Sequence, residues 1–139
     1  MPRLVIMGEP IAQARPRFTK RGRPYSPQRA KKVAWIQNTQ PSVEKFKIKP
    51  TTRPVSLNLI FTFSRPKSHY RGGRKNNPLK YTAPDEHIVK PDLSNLIKWV
   101  EDCLESIAWA NDKTIVRIRA RKEYTKGDSF TLIEYQELY

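Results

Sequence analysis

Val55-Ser56-Leu57-Asn58-Leu59-Ile60-Phe61-Thr62-Phe63-Ser64 sets large apolar residues at every second position across ten residues. Successive side chains of a strand point to opposite faces, so Val55, Leu57, Leu59, Phe61 and Phe63 predict a strand with one buried face. A single strand cannot bury that face, and the flanking sequence supplies others. Leu4 to Met7 reads as a short strand ending at Gly8-Glu9-Pro10. Thr114 to about Glu123 reads as another, with Val116, Ile118 and Ala120 facing one way and Arg117, Arg119 and Arg121 the other. Lys126-Gly127-Asp128 is expected to turn a hairpin, from which Ser129 to Tyr139 returns as the last strand.

Two helices are expected against this sheet. Ser26-Pro27 gives a start, with the serine as N-cap and the proline at the first helical position. That helix should run to about Asn38, with Ala30, Val33, Ala34 and Gln37 inward and Pro41 closing it. The second runs from Asp92 to about Ile107. At about 100° per residue, Leu93, Leu96, Ile97, Val100, Cys103, Leu104 and Ile107 share an arc of about 120°. Ser94, Asn95, Lys98, Glu101, Asp102 and Glu105 lie opposite, and Trp99 flanks the apolar edge. Cys103, within the arc, reads as a small core residue rather than a nucleophile.

Between the first strand and first helix, Ala12 to Tyr25 holds two prolines and five bases, which predicts an extended segment or hairpin turning near Arg21-Gly22. From Arg65 to Lys90 no periodicity survives, and the stretch carries seven bases, which predicts a basic flap. The reading is therefore α+β: one domain over residues 1–139, a small mixed β-sheet with two main helices packed on one face, and a long basic loop before the second helix.

The chain has 139 residues and a net charge of +14. Its single cysteine cannot close an intramolecular disulfide, so a stapled secreted scaffold is excluded and a reducing cytoplasm is the expected location. No apolar run approaches the ~18–20 residues of a membrane span, so no membrane association is expected. The four apolar residues before Gly8 are too few for a signal-peptide core.

The charge is unevenly spread. Residues 1–90 carry 20 bases and 4 acids, whereas residues 91–112 carry Lys98 and five acids: Asp92, Glu101, Asp102, Glu105 and Asp112. An acidic island in a basic chain reads either as a solvated helix face or as a cation site on a polyanion-binding surface. Two carboxylates with a lysine nearby suit Mg²⁺, which keeps positions for waters and substrate phosphates. Lys98 would offset charge developing on phosphorus. Each residue also has a plainer reading. In that reading Asp92 caps the helix, Asp112 fixes a turn, and Lys98 pairs with Glu101 or Asp102. Asp102 is the weaker ligand candidate. His69 and His87 lack ligand spacing and read as surface residues. A helix to Ile107 would span about 22 Å, so Asp92 and Asp112 meet only if it is shorter or bent and the chain folds back.

Lys90-Pro91-Asp92-Leu93-Ser94-Asn95-Leu96-Ile97-Lys98, Glu101-Asp102 and Trp109-Ala110-Asn111-Asp112 resemble the core motif of RusA-type Holliday junction resolvases. Gly8-Glu9-Pro10, Arg15-Pro16-Arg17 and Tyr25-Ser26-Pro27 are similar to that family's opening pattern, and residues 40–52 and 66–86 are least characteristic. The resemblance implies a homodimeric endonuclease, dependent on Mg²⁺ with Mn²⁺ as the alternative ion, that nicks four-way DNA junctions in a bacterial or phage-derived nucleoid setting. It implies Asp92 and Asp112 as metal-binding and catalytic aspartates and Lys98 as the catalytic lysine. The family commonly has aspartate where this chain has Ser94, and often at Asn111. A hydroxyl binds Mg²⁺ less well than a carboxylate. Asp102 would then compensate as a ligand, or the chain would bind branched DNA and cut it slowly. Phosphate contacts are expected from Arg15, Arg17, Arg21, Arg23, Arg71, Arg74 and Lys75. The stripe of Arg117, Arg119 and Arg121 reads either the same way or as a solvated face paired with Glu134. A basic RNA-binding module is the third class, opposed by the acidic island.

Overall fold

A computed structural model describes residues 1–15, 17–25 and 27–139, that is, all but Pro16 and Ser26. The strands β1 (Arg3–Met7), β4 (Val55–Ser64), β5 (Ile115–Thr125) and β6 (Phe130–Glu137) form one sheet in the order β1-β6-β4-β5. β6 is antiparallel to both β1 and β4, while β4 and β5 are parallel, so the sheet is mixed. The short strands β2 (Arg17–Phe18) and β3 (Pro24–Tyr25) pair as a separate exposed arm, with Gly22 at φ 78° in its turn. The helices are α1 (Arg29–Gln37), α2 (Gln40–Lys45) and α3 (Leu93–Leu104).

The period-two strand takes the centre. Val55, Leu57, Leu59, Phe61 and Phe63 are buried, and they meet Tyr135 and Ile133 of β6 and Leu4 and Ile6 of β1 in one core. α3 closes that core with Leu96, Trp99, Val100, Cys103 and Leu104, while Leu93 and Ile97 pack at its margin. Burial pushes the Cys103 thiol up to about 12, which makes it an inert core group.

Several expectations change. Lys126-Gly127-Asp128 does not turn a paired hairpin, because β4 lies between β5 and β6. The most apolar strand needs a ladder on both edges, and only a central place provides it. Glu134 therefore faces Asn58, with Arg119 one strand further on, and the expected pairing with the arginine stripe does not form. Arg121 instead pairs with Glu123 on its own strand at 3.1 Å. A register shift at Val55/Ser56 also leaves Val116 exposed.

α1 buries a different side from the one expected. Trp35 is buried, with Lys32 and Ile36 half-buried beside it, whereas Ala30, Val33, Ala34 and Gln37 are exposed. One indole outweighs several small residues in apolar area, so it sets the rotation of the helix. The expected cap at Ser26 lies outside the described residues. Pro41 does not close a helix either; it occupies the first turn of α2, where a missing N–H is harmless.

The loop from Arg65 to Lys90 is more anchored than a flap. It contains two 3₁₀ turns, Lys67–His69 and Arg71–Gly73, with Tyr70 buried between them. His87 is not a surface residue. It stacks on Phe63 at 4.1 Å and is 7% exposed, and burial followed by the charge of Lys122 lowers its pKa. His69 is half-buried with its ring edge-on to Tyr124, 5.0 Å away. Among the described residues, no helix is long and apolar enough to cross a membrane.

Trp109 is fully buried and sits against Tyr135 at 5.8 Å, tying the segment after α3 to the sheet. Truncating such a residue leaves a large void. Trp109→Ala should lower unfolding free energy by about 3–5 kcal/mol in urea titrations, and Trp109→Phe by less.

Candidate metal centre and nucleic-acid interface

The N-terminal end of α3 begins at Asp92, whose backbone is extended and whose carbonyl accepts from Asn95 and Leu96, each at 3.2 Å. Its side chain makes no capping hydrogen bond and is exposed. The backbone does the capping, which leaves the carboxylate free for another partner. Ser94 and Lys98 are exposed on the same helix.

The C-terminal end comes earlier than the apolar pattern suggests. Glu105 is extended and Ser106 has φ 71°, so the chain reverses three residues before Ile107 is reached as helix. Ser106 donates to the Trp109 carbonyl at 2.7 Å and Ala108 to the Leu104 carbonyl at 2.9 Å, closing a tight loop. The Trp109 indole donates to the Glu101 carbonyl at 3.2 Å. Thr51 clamps the returning strand, donating to Ala108 and accepting from Ala110.

That reversal carries Asp112 back to the end of α3. Ligand oxygens of Asp102, Glu105 and Asp112 lie within 4.8 Å of one another. The turn holding Asp112 is fixed by its neighbour: the Asn111 side chain accepts from the Lys113 amide at 2.9 Å. The turn-fixing role considered for Asp112 therefore belongs to Asn111. Glu101 stands beside the cluster. Burial, then the charges of Asp112 and Asp102, raise its pKa above 4.5, against a smaller opposing effect of Lys98.

Asn95, Lys98, Asp102 and Glu105 follow at spacings of three and four, so they form one line along α3. The segment before the arm crosses that line. Gln13 donates from its backbone to the Asn95 carbonyl at 2.9 Å and from its side chain to Asp102 at 2.6 Å. Gln28 fastens the same segment to α1, bonding Ala12 and Ala14. The crossing leaves a groove of about 320 Å³ lined by Gln13, Ala14, Arg15, Asn95 and Lys98. Among the described residues, Lys98 makes no ion pair with Glu101 or Asp102.

The expected site residues thus do not all come together. Asp102 and Asp112 come together, with Glu105 as a third carboxylate. Asp92 stands apart, since ten helical residues separate it from Asp102 by about 15 Å. Arg15 lines the groove, and Arg17, Arg21 and Arg23 belong to the arm beyond it. Arg71, Arg74 and Lys75 are exposed on the anchored loop. Arg117 and Arg119 pair in register with Ser56 and Asn58, and so face away from α3, on the opposite side of the sheet.

Glu105 and Gln13 join this arrangement although neither belongs to the motif residues assigned a role from the sequence. Glu105 carried a usable signal, being three residues beyond Asp102 on the same line. Gln13 carried none, because its contact spans 89 residues.

A carboxyl with a raised folded pKa works against folding once it ionises. The loss begins as pH rises past 4.5 and is complete above the folded value. Glu101→Gln should therefore raise the melting temperature near pH 7 and leave it almost unchanged near pH 4, read by calorimetry.

Comparison with known proteins gives the family. A relative, the uncharacterized protein YqaN of Bacillus subtilis (strain 168), is 26% identical over 126 residues, covering 89% of this chain and 88% of that protein. The family model for endodeoxyribonuclease RusA matches residues 7–132, a span that takes in the arm, α3, the carboxylates and most of the sheet. The chain belongs to the RusA endodeoxyribonuclease family.

Proposed function

We propose that this protein is a divalent-cation-dependent endonuclease that nicks four-way DNA junctions. The observation that carries the reading is the Asp102–Glu105–Asp112 cluster, set beside the Lys98 groove of a RusA-family chain with net charge +14. An all-carboxylate donor set suits a hard cation such as Mg²⁺ or Mn²⁺. Burial chiefly raises the Glu101 pKa, and the charges of Asp112 and Asp102 add to that rise against a smaller opposing effect of Lys98.

Asp102, Glu105 and Asp112 would hold the ion, which when bound supplies polarisation of a phosphodiester oxygen and a more acidic water. Gln13 orients Asp102 through its 2.6 Å hydrogen bond. Lys98, facing the groove and without an ion pair among the described residues, is placed to offset negative charge as the attacking water oxygen adds to phosphorus and the ester oxygen leaves. The arginines of the arm and the loop bases contact phosphates and so fix the duplex without reading bases. Within one protomer Asp92 does not reach the cluster. It joins the same chemistry only across a homodimer, and paired nicks in a two-fold junction call for two protomers. Such a substrate places the protein with DNA in the cytoplasm.

A second reading, a branched-DNA-binding protein that cuts weakly, draws support from Ser94 and Asn111. Ser94 offers an exposed hydroxyl, and the Asn111 side chain is already engaged in its turn.

In a gel assay on a synthetic four-way junction, wild type with Mg²⁺ should give paired nicks. Asp92→Asn and Asp112→Asn should each bind and not cut, and Lys98→Met should cut about 10²–10³-fold more slowly. Binding with about six phosphate contacts should fall with salt at a log–log slope of about −5. Equal cutting by wild type and Asp112→Asn would remove the site. If only Ser94→Asp cuts well, the second reading holds.

A further inference from the structure

Lys122 occupies an unexpected place. It lies on the helix-facing side of β5, in register with Phe61, where its neighbours along the strand on that side are Ala120 and Tyr124. Its ammonium is turned onto the loop before α3. There it donates to the Val89 carbonyl and to the Pro91 carbonyl, both at 2.9 Å.

Little else holds that stretch. Ile88 is 82% exposed and Val89 57%, so neither side chain anchors the chain by packing. Among the described residues, the bonds from Lys122 are the hydrogen bonds made by residues 88–91. The loop is secured upstream by His87 against Phe63, and downstream by the first turn of α3. Between those anchors, one ammonium ties two carbonyls.

The peptide unit makes this tie specific. The Pro91 carbonyl and the Asp92 nitrogen and Cα lie in one rigid plane, so holding the oxygen fixes where Asp92 starts. The Asp92 carbonyl is held from the other side by Asn95 and Leu96. The residue is thereby gripped at both flanking peptides while its carboxylate stays free. A charged donor on neutral carbonyls is stronger than an ordinary hydrogen bond, and losing it would leave both carbonyls without a protein partner.

We propose that Lys122 is a positioning residue for Asp92, setting the carboxylate through the Val89 and Pro91 carbonyls and taking no direct part in DNA contact or chemistry. This rests on the assignment of Asp92 to the nuclease reaction.

The test reads nicking rate, junction affinity and amide exchange on the whole chain. Lys122→Met should lower the nicking rate at saturating junction about 10–100-fold, the range for residues that orient a functional group. Junction affinity without divalent ion should stay within about twofold, because the ammonium is turned onto carbonyls rather than phosphates. Lys122→Arg, which keeps a charge and several donors, should recover most of the rate. Amide exchange over residues 88–95 should accelerate in Lys122→Met while β4 and β6 stay protected. Lys122→Gln replaces the methionine variant if the latter fails to fold. Wild-type nicking by Lys122→Met, or unchanged exchange over 88–95, overturns the proposal. Should Asp92→Asn cut like wild type, the assignment of Asp92 fails instead, and the exchange data alone decide whether Lys122 holds the segment.

Discussion

The arrangement depends on the burial of Trp109 beneath the end of α3. Its indole has no water-exposed surface, bonds the Glu101 carbonyl, and meets Tyr135 of β6 edge-on. Burying so large a ring stabilises the fold by several times the energy of a surface ion pair. That surplus makes the chain reverse after Leu104 rather than continue as helix. The reversal is what sets Asp112 against Asp102 and Glu105, so a hydrophobic contact holds three mutually repelling carboxylates in one place.

Like charges at this separation are unfavourable without a counter-charge. The chain has 27 basic groups, yet among the described residues its ion pairs are Arg53–Glu137 and Arg121–Glu123, both remote from α3. The bases project outward on the arm and loop instead of neutralising the cluster. Gln13, a neutral donor, is what touches Asp102. Negative charge is thus gathered at the end of α3 and positive charge on the arm and loop, the separation on which the proposed metal-dependent nuclease reading rests.

The loop from Arg65 to Lys90 shows how much an irregular segment can be ordered by a few contacts. Its sequence has no period, but Tyr70 and His87 are buried and Arg65 lies over the Tyr124 ring at 4.8 Å. Exposed bases at Arg71, Arg74 and Lys75 are thereby mounted on a fixed base. Lys122 extends the same principle to the last residues before α3.

Periodicity made the strands and the apolar arc of α3 readable, because burial of one face repeats every two or every 3.6 residues. The RusA motif made Asp92, Lys98 and Asp112 readable as candidates, and the uneven charge made a polyanion surface readable. The strand order was not, since a short turn between β5 and β6 implies pairing, and only competition for the centre of the sheet puts β4 between them. The face of α1 followed the bulk of Trp35, which no count of apolar positions weighs. Sequence thus determined the main strands and the buried sides of β4 and α3, which are local and periodic. Tertiary structure alone decided which carboxylates meet, because that depends on where a helix stops and on contacts such as Gln13 with Asp102 and Lys122 with Pro91, between residues far apart along the chain.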